Sequence, residues 1–138
     1  MLAIIIDPLN LRVTEQTIEY EGIKDLLNCA SFKIACCFNT SADTQQMDVL
    51  CINPNGSEEY GCRGFEFTPC AGKNMNIAQR ALVCRVDLAQ NGAFTSPLAS
   101  LYEVALMVDW LPRERPVFNT FGAKSLGAHA RKSGATII

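Results

Sequence analysis

Most apolar runs in this chain are short and β-branched, and only two stretches show helical spacing. Residues 2–6, Leu-Ala-Ile-Ile-Ile, predict a strand with no polar face, the pattern of a central strand covered on both sides. Asp7-Pro8 closes it, because Pro fixes φ and lacks an N–H. A second strand is expected from Leu11 to Tyr20. Leu11 and Val13 have one parity and Ile18 and Tyr20 the other, so the apolar face switches between Thr14 and Thr17 and implies a bulge or a break. Ile23, Leu26 and Leu27 predict a short helix within Glu21–Asn28, with Asn28 ending it in a left-handed conformation.

Phe32–Phe38 and Met47–Ile52 read as the third and fourth strands, and Asn53-Pro54-Asn55-Gly56 as a turn. Phe65 and Phe67 share a face of a strand over Arg63–Phe67, and Ala81–Val86 is the clearest late strand. Ser100-Leu101-Tyr102-Glu103 fits a capping box, in which the Ser hydroxyl and the Glu carboxylate satisfy each other's orphan N–H groups. Leu101, Val104, Ala105 and Val108 then recur at helical spacing, which predicts an amphipathic helix running to Trp110 and stopped by Pro112. The expected fold is α+β: a small, mostly antiparallel sheet packed by a short helix and a C-terminal amphipathic helix.

Charge divides the chain after Trp110. Residues 1–110 carry thirteen acidic and seven basic side chains, a net of −6, whereas 111–138 carry a net of +4. We read 1–110 as a single domain and 111–138 as a basic, weakly ordered extension. At 49% apolar and 19% charged residues, the composition is that of a globular protein with core enough to fold without staples. The longest apolar run, Met1–Ile6, is six residues, too short for a membrane span, and no basic residue precedes it as a secretion signal requires. A cytoplasmic location is therefore expected. There the seven cysteines, Cys29, Cys36, Cys37, Cys51, Cys62, Cys70 and Cys84, stay reduced, and most sit among apolar neighbours as small hydrophobes. No Cys-x-x-Cys pair occurs, so neither a metal nor another cofactor is expected; Cys29, Cys62 and Cys70 would be the least implausible ligands.

Catalytic signals are sparse. His129, the one histidine, lies in a Gly/Ala-rich stretch that cannot aim an imidazole. Glu58-Glu59 reads as a solvated corner, Asp7 and Asp109 as ends of regular elements. Gly61-Cys62-Arg63-Gly64 lacks the spacing and the Lys-Ser/Thr of a phosphate-binding loop. No catalytic residue is assigned. The basic tail is the better lead: Arg113, Arg115, Lys124, Arg131 and Lys132, with Phe118 and Phe121, supply the side chains that dominate protein interfaces. The same residues could instead neutralise phosphates and stack bases of a nucleic acid. A third reading is an enzyme or small-ligand binder with a pocket lined by Cys62, Arg63, Glu66 and Cys70.

The order of several pieces resembles a group of small uncharacterised accessory proteins of bacteriophages and plasmids. The pieces are Ile4-Ile5-Ile6-Asp7-Pro8, Tyr20 to Cys29, Ala81-Leu82-Val83-Cys84-Arg85-Val86-Asp87, and Ser100-Leu101-Tyr102-Glu103 through Val108-Asp109-Trp110. The resemblance covers residues 2–110 and leaves out the tail. Gln79-Arg80 stands where those proteins carry Gly-Lys or Gly-Arg. It implies a non-enzymatic binding protein of a mobile element that engages a host or phage protein, with an inhibitor of a host defence system as its sharpest form.

Overall fold

Residues 1–55, 63–69, 74–111 and 136–137 are described by a computed structural model. In chain order the elements are β1 (Leu2–Asp7), β2 (Arg12–Thr17), α1 (Gly22–Leu27), β3 (Lys33–Ser41), β4 (Gln46–Ile52), β5 (Gly64–Phe67), β6 (Met75–Ile77), β7 (Ala81–Asp87), β8 (Ala93–Thr95), α2 (Leu101–Leu106), β9 (Val108–Leu111) and β10 (Thr136–Ile137). The large sheet has the order β10–β2–β1–β7–β4–β3. β7 shares one edge between two partners, with Ala81–Val83 against β1 and Arg85–Asp87 against β8. The short β10 lies parallel to β2, and the other described pairings are antiparallel.

The apolar β1 is central, as its composition requires. Ile4 and Ile6 point to one face with Val13, Leu50, Ile52 and Val83, and Ala3 and Ile5 to the other with Val49, Cys51, Leu82 and Cys84. α1 covers the second face with Ile23 and Leu27. Asn28 ends α1 in the left-handed conformation (φ 53°), so that the Asn28 and Cys29 N–H groups donate to Asp25 O and Lys24 O. The parity switch between Thr14 and Thr17 is a strand end. β2 stops at Thr17, and Ile18, whose N–H donates to Met1 O, turns onto the α1 side of the sheet.

The α+β expectation is corrected here. Among the described residues the structure is mostly antiparallel β-sheet, with two α-helices of six residues each. A second, three-stranded sheet of order β6–β5–β9 supplies much of the cover over the first face of the large sheet. The C-terminal amphipathic helix is only half present. Its capping box forms, but the helix ends at Leu106 and Val108–Leu111 is strand β9, with Val108 opposite Phe67 and Trp110 opposite Phe65. Val108 and Trp110 are buried in alternation with the half-buried Asp109 and Leu111. A β-branched and an aromatic residue at period two favour a strand, and β5 supplies the ladder partners. Four aromatic rings join the two sheets edge-to-face, with centroids 5.5 Å apart for Phe38–Phe67 and 6.3 Å for Phe65–Phe67 and Phe65–Trp110.

Gly64 opens β5 where the chain runs against the end of β6 and Ala78 just after it. A Cβ there would collide with Ile77 O and lie 2.9 Å from Ala78 Cα, both backbone atoms that cannot swing away. Gly64→Ala is therefore expected to lose about 1–3 kcal/mol through overpacking, measured as a lower urea midpoint with an unchanged slope.

Candidate functional site

β4 places Asp48 on the same face as Leu50 and Ile52, and β7 places Arg85 on the same face as Ala81 and Val83. The two are direct cross-strand partners, so the geometry of the ladder joins them. Asp48 is fully buried and Arg85 is 6% exposed. A buried carboxylate is tolerated only when its lone pairs are met. Arg85 Nη1 donates to Asp48 Oδ1 at 2.9 Å, and Asn39 Nδ2 donates to Oδ2 at 2.9 Å. The Leu98 N–H donates to Oδ1 at 2.8 Å and the Ala99 N–H to Oδ2 at 2.9 Å. The network continues outward: Arg85 Nε donates to Gln46 Oε1 at 3.2 Å, and Gln46 Nε2 donates to Asp87 Oδ2 at 3.1 Å.

The contacts to Leu98 and Ala99 set the start of α2. Immediately after them, the Ser100 N–H donates to Glu103 Oε1 and the Glu103 N–H to Ser100 Oγ, which completes the capping box. With the helix start held this way, Val104 and Ala105 turn into the core. The opposite face is left apolar and open: Leu98 is 67% exposed, Tyr102 62% and Leu106 67%. Tyr102 and Leu106 are one turn apart on one side of the helix, and Leu98 lies just ahead of its cap. Beside Leu98 runs a shallow groove of about 220 Å³, whose floor includes Ile4 and whose rim includes Leu2 and Glu15.

The tail residues singled out by charge, Arg113, Arg115, Phe118, Phe121, Lys124, Arg131 and Lys132, lie outside the described residues, as do His129, Cys62 and Cys70. Arg63 reaches over the β1–β2 turn and donates from Nη1 to Leu9 O at 3.2 Å. Glu66 sits in β5 opposite Asn76 and Asp109. Gln79 binds Asn53 reciprocally: Asn53 N–H to Oε1 at 2.9 Å and Nε2 to Asn53 O at 2.7 Å. Sequence reasoning passed over the α2 ridge and Asp48. Leu98, Tyr102 and Leu106 recur every four residues opposite the buried positions, and Asp48 and Arg85 are charges inside apolar strand runs. Those were the available signals.

Cys51 and Cys84 are fully buried on neighbouring strands, with their Sγ atoms 3.9 Å apart. Sharing a hydrogen bond with Cys51, and burial, push the Cys84 thiol far above the usual range. Burial pushes Cys36 up to about 11, and Cys37 beside it is exposed. Two consequences follow from holding these protons tightly. Among the five described cysteines of the native protein, Cys37 is expected to alkylate first and Cys51 and Cys84 only on unfolding, with all seven thiols of the chain reactive in denaturant by mass spectrometry. Because the folded values are raised, the stability they contribute is complete below the unfolded cysteine value of about 8.5. It declines as pH rises towards and beyond about 11, which a series of melts from neutral to alkaline pH would show.

Asp48→Ala strands a buried guanidinium and leaves the α2 start unanchored, at an expected cost of about 3–5 kcal/mol. Pairing it with Arg85→Met removes both charges and should cost less than the two single changes added together, which urea unfolding of all four proteins measures. Comparison with known proteins finds no family model, no curated protein and no solved structure that matches this chain.

Proposed function

We propose that this chain is a non-enzymatic binding protein that acts by protein–protein contact, with α2 as its docking element. The observation that carries this reading is an apolar ridge at α2: Tyr102 and Leu106, one turn apart on the helix, with Leu98 just ahead of its cap, each more than 60% exposed. Contiguous apolar surface rimmed by polar groups is the mark of a partner site, and a tyrosine in its middle suits an energetic anchor. Residues spaced by four on a helix are read by a complementary groove. The ridge also stands on a stiff base. The Asp48 contacts and the capping box hold α2 before any partner arrives, which lowers the ordering cost of association.

The resemblance to accessory proteins of bacteriophages and plasmids gives the role its context. A chain of this kind would work in the host cytoplasm as an inhibitor of a defence system, covering a functional surface of a host protein. Glu103 on α2 and Glu15 on the neighbouring groove give the ridge an acidic border, so the partner groove would carry basic residues at its rim. Among the described residues no helix is long and apolar enough to cross a membrane.

The test is phage plating on hosts that each carry one defence system. Expression of the wild-type chain is expected to restore plating on at least one host. Tyr102→Asp combined with Leu106→Asp should abolish the effect with an unchanged melting temperature, because both side chains already face water. Loss of a central anchor corresponds to at least ~30-fold in affinity. Full activity of the double variant would remove α2 as the docking element, and no restoration on any host would remove the defence-inhibitor reading.

A further inference from the structure

The opposite face of the β1–β2 hairpin carries a second, chemically different concavity of about 230 Å³. Its floor is Ile5, and its far wall is Leu26 of α1. Across it runs the polar row of β2: Arg12, Thr14 and Gln16, alternate residues that the strand period places on one side. Their register partners Asp7, Ile5 and Ala3 confirm that this is the α1 side of the sheet, away from the ridge on α2. The turn Pro8–Leu11, which ends with Leu11 in the left-handed conformation (φ 53°), sets Arg12 directly opposite Asp7.

Charge and donor capacity in this groove are unbalanced. Arg80 enters from the loop before β7. Its Nη1 donates to Leu26 O at 3.2 Å, and its Nη2 lies 3.5 Å from Asp7 Oδ2. Nε of Arg80 is buried and has no hydrogen-bond partner among the described residues. Asp7 is already engaged in its own turn, where Oδ1 accepts from the Leu9 N–H at 3.0 Å and Oδ2 from Asn10 Nδ2 at 2.8 Å. Arg12 is exposed and forms no ion pair among the described residues. Two guanidinium groups thus face one carboxylate whose lone pairs are largely committed, which leaves a net positive groove with spare N–H donors. Thr14 and Gln16 add a hydroxyl and an amide along the same row.

We infer that this groove binds a small organic phosphate monoester. A phosphate dianion offers several oxygens to two guanidinium forks at once, the geometry in which arginine outperforms a point charge. A carboxylate would engage one fork and leave the other unmatched. The volume lies below the roughly 300–1,000 Å³ of drug-sized pockets, so the body attached to the phosphate is small, and the Thr14 and Gln16 row is placed to meet its hydroxyl groups. The site is independent of the ridge on α2, and its occupancy does not rest on the protein-binding role.

The experiment is calorimetric titration of the full chain with ribose 5-phosphate, inorganic phosphate and acetate at fixed ionic strength. Ribose 5-phosphate is expected to bind saturably and more tightly than inorganic phosphate, with acetate weakest. Arg12→Ala should weaken the sugar phosphate by about 10- to 100-fold, the usual effect of losing charge-assisted hydrogen bonds. Arg12 is exposed, so this variant retains the fold, which its melt would verify; Arg80→Lys then tests the second fork. Lys33→Ala removes the same charge from the far edge strand β3 and should change nothing. The inference is overturned by an absence of saturable phosphate binding, by acetate binding as well as the sugar phosphate, or by Arg12→Ala and Lys33→Ala having equal effects.

Discussion

A carboxylate buried as completely as Asp48 must find donors for its oxygens inside the protein, and where those donors come from organises this fold. One comes from the neighbouring strand β7, one from the end of β3, and two from the backbone at the approach to α2. Three segments thus converge on one pair of oxygens, and two of them, β7 and the approach to α2, are far from Asp48 in sequence. The ion pair with Arg85 is not in itself a source of great stability, since desolvating both charges offsets most of their attraction. Its consequence is positional. The backbone ahead of α2 can lie in few other places while two of its N–H groups are spent on Asp48.

That constraint explains why so short a helix is well placed. Six residues have little intrinsic helical stability in water, and α2 depends on its cap, on the anchored segment before it and on Val104 and Ala105 in the core. Immediately afterwards the chain changes period and joins β5 as a strand, closing the three-stranded sheet over the first face. The Phe38–Phe67–Phe65–Trp110 rings lie between the two sheets. Sheet against sheet, with a short helix at the margin, is the arrangement that results.

The two faces of the β1–β2 hairpin then acquire different chemistry from a single alternation. Ile4 and Glu15 border an apolar groove next to the α2 ridge, whereas Arg12, Thr14 and Gln16 border a basic groove beneath α1. A strand at period two can serve both without compromise, because neighbouring side chains never compete for the same side. An apolar ridge and a cationic groove therefore sit back to back across one sheet.

Much of the fold was legible in local patterns. The all-apolar Leu2–Ile6 run marked a central strand, Asn28 marked a helix end, the parity switch after Thr14 marked the end of β2, and Ser100 with Glu103 marked a helix start. Each of these is encoded within a few residues, by steric limits on φ or by a side chain that reaches its own backbone. Charge composition, by contrast, directed attention to residues 111–138, while the surface features described here arise from positions that look unremarkable in the chain. Val108 satisfied a helical period and a strand period equally, and only β5, distant in sequence, decided between them. Asp48 and Arg85 could be recognised as charges in strands, but not as partners until the ladder set β4 against β7. Leu98, Tyr102 and Leu106 became a ridge, and Arg12 and Arg80 a cationic pair, for the same reason. Local sequence determines where elements begin and end, whereas exposure and convergence depend on which elements pack together, and that is settled only by long-range contacts.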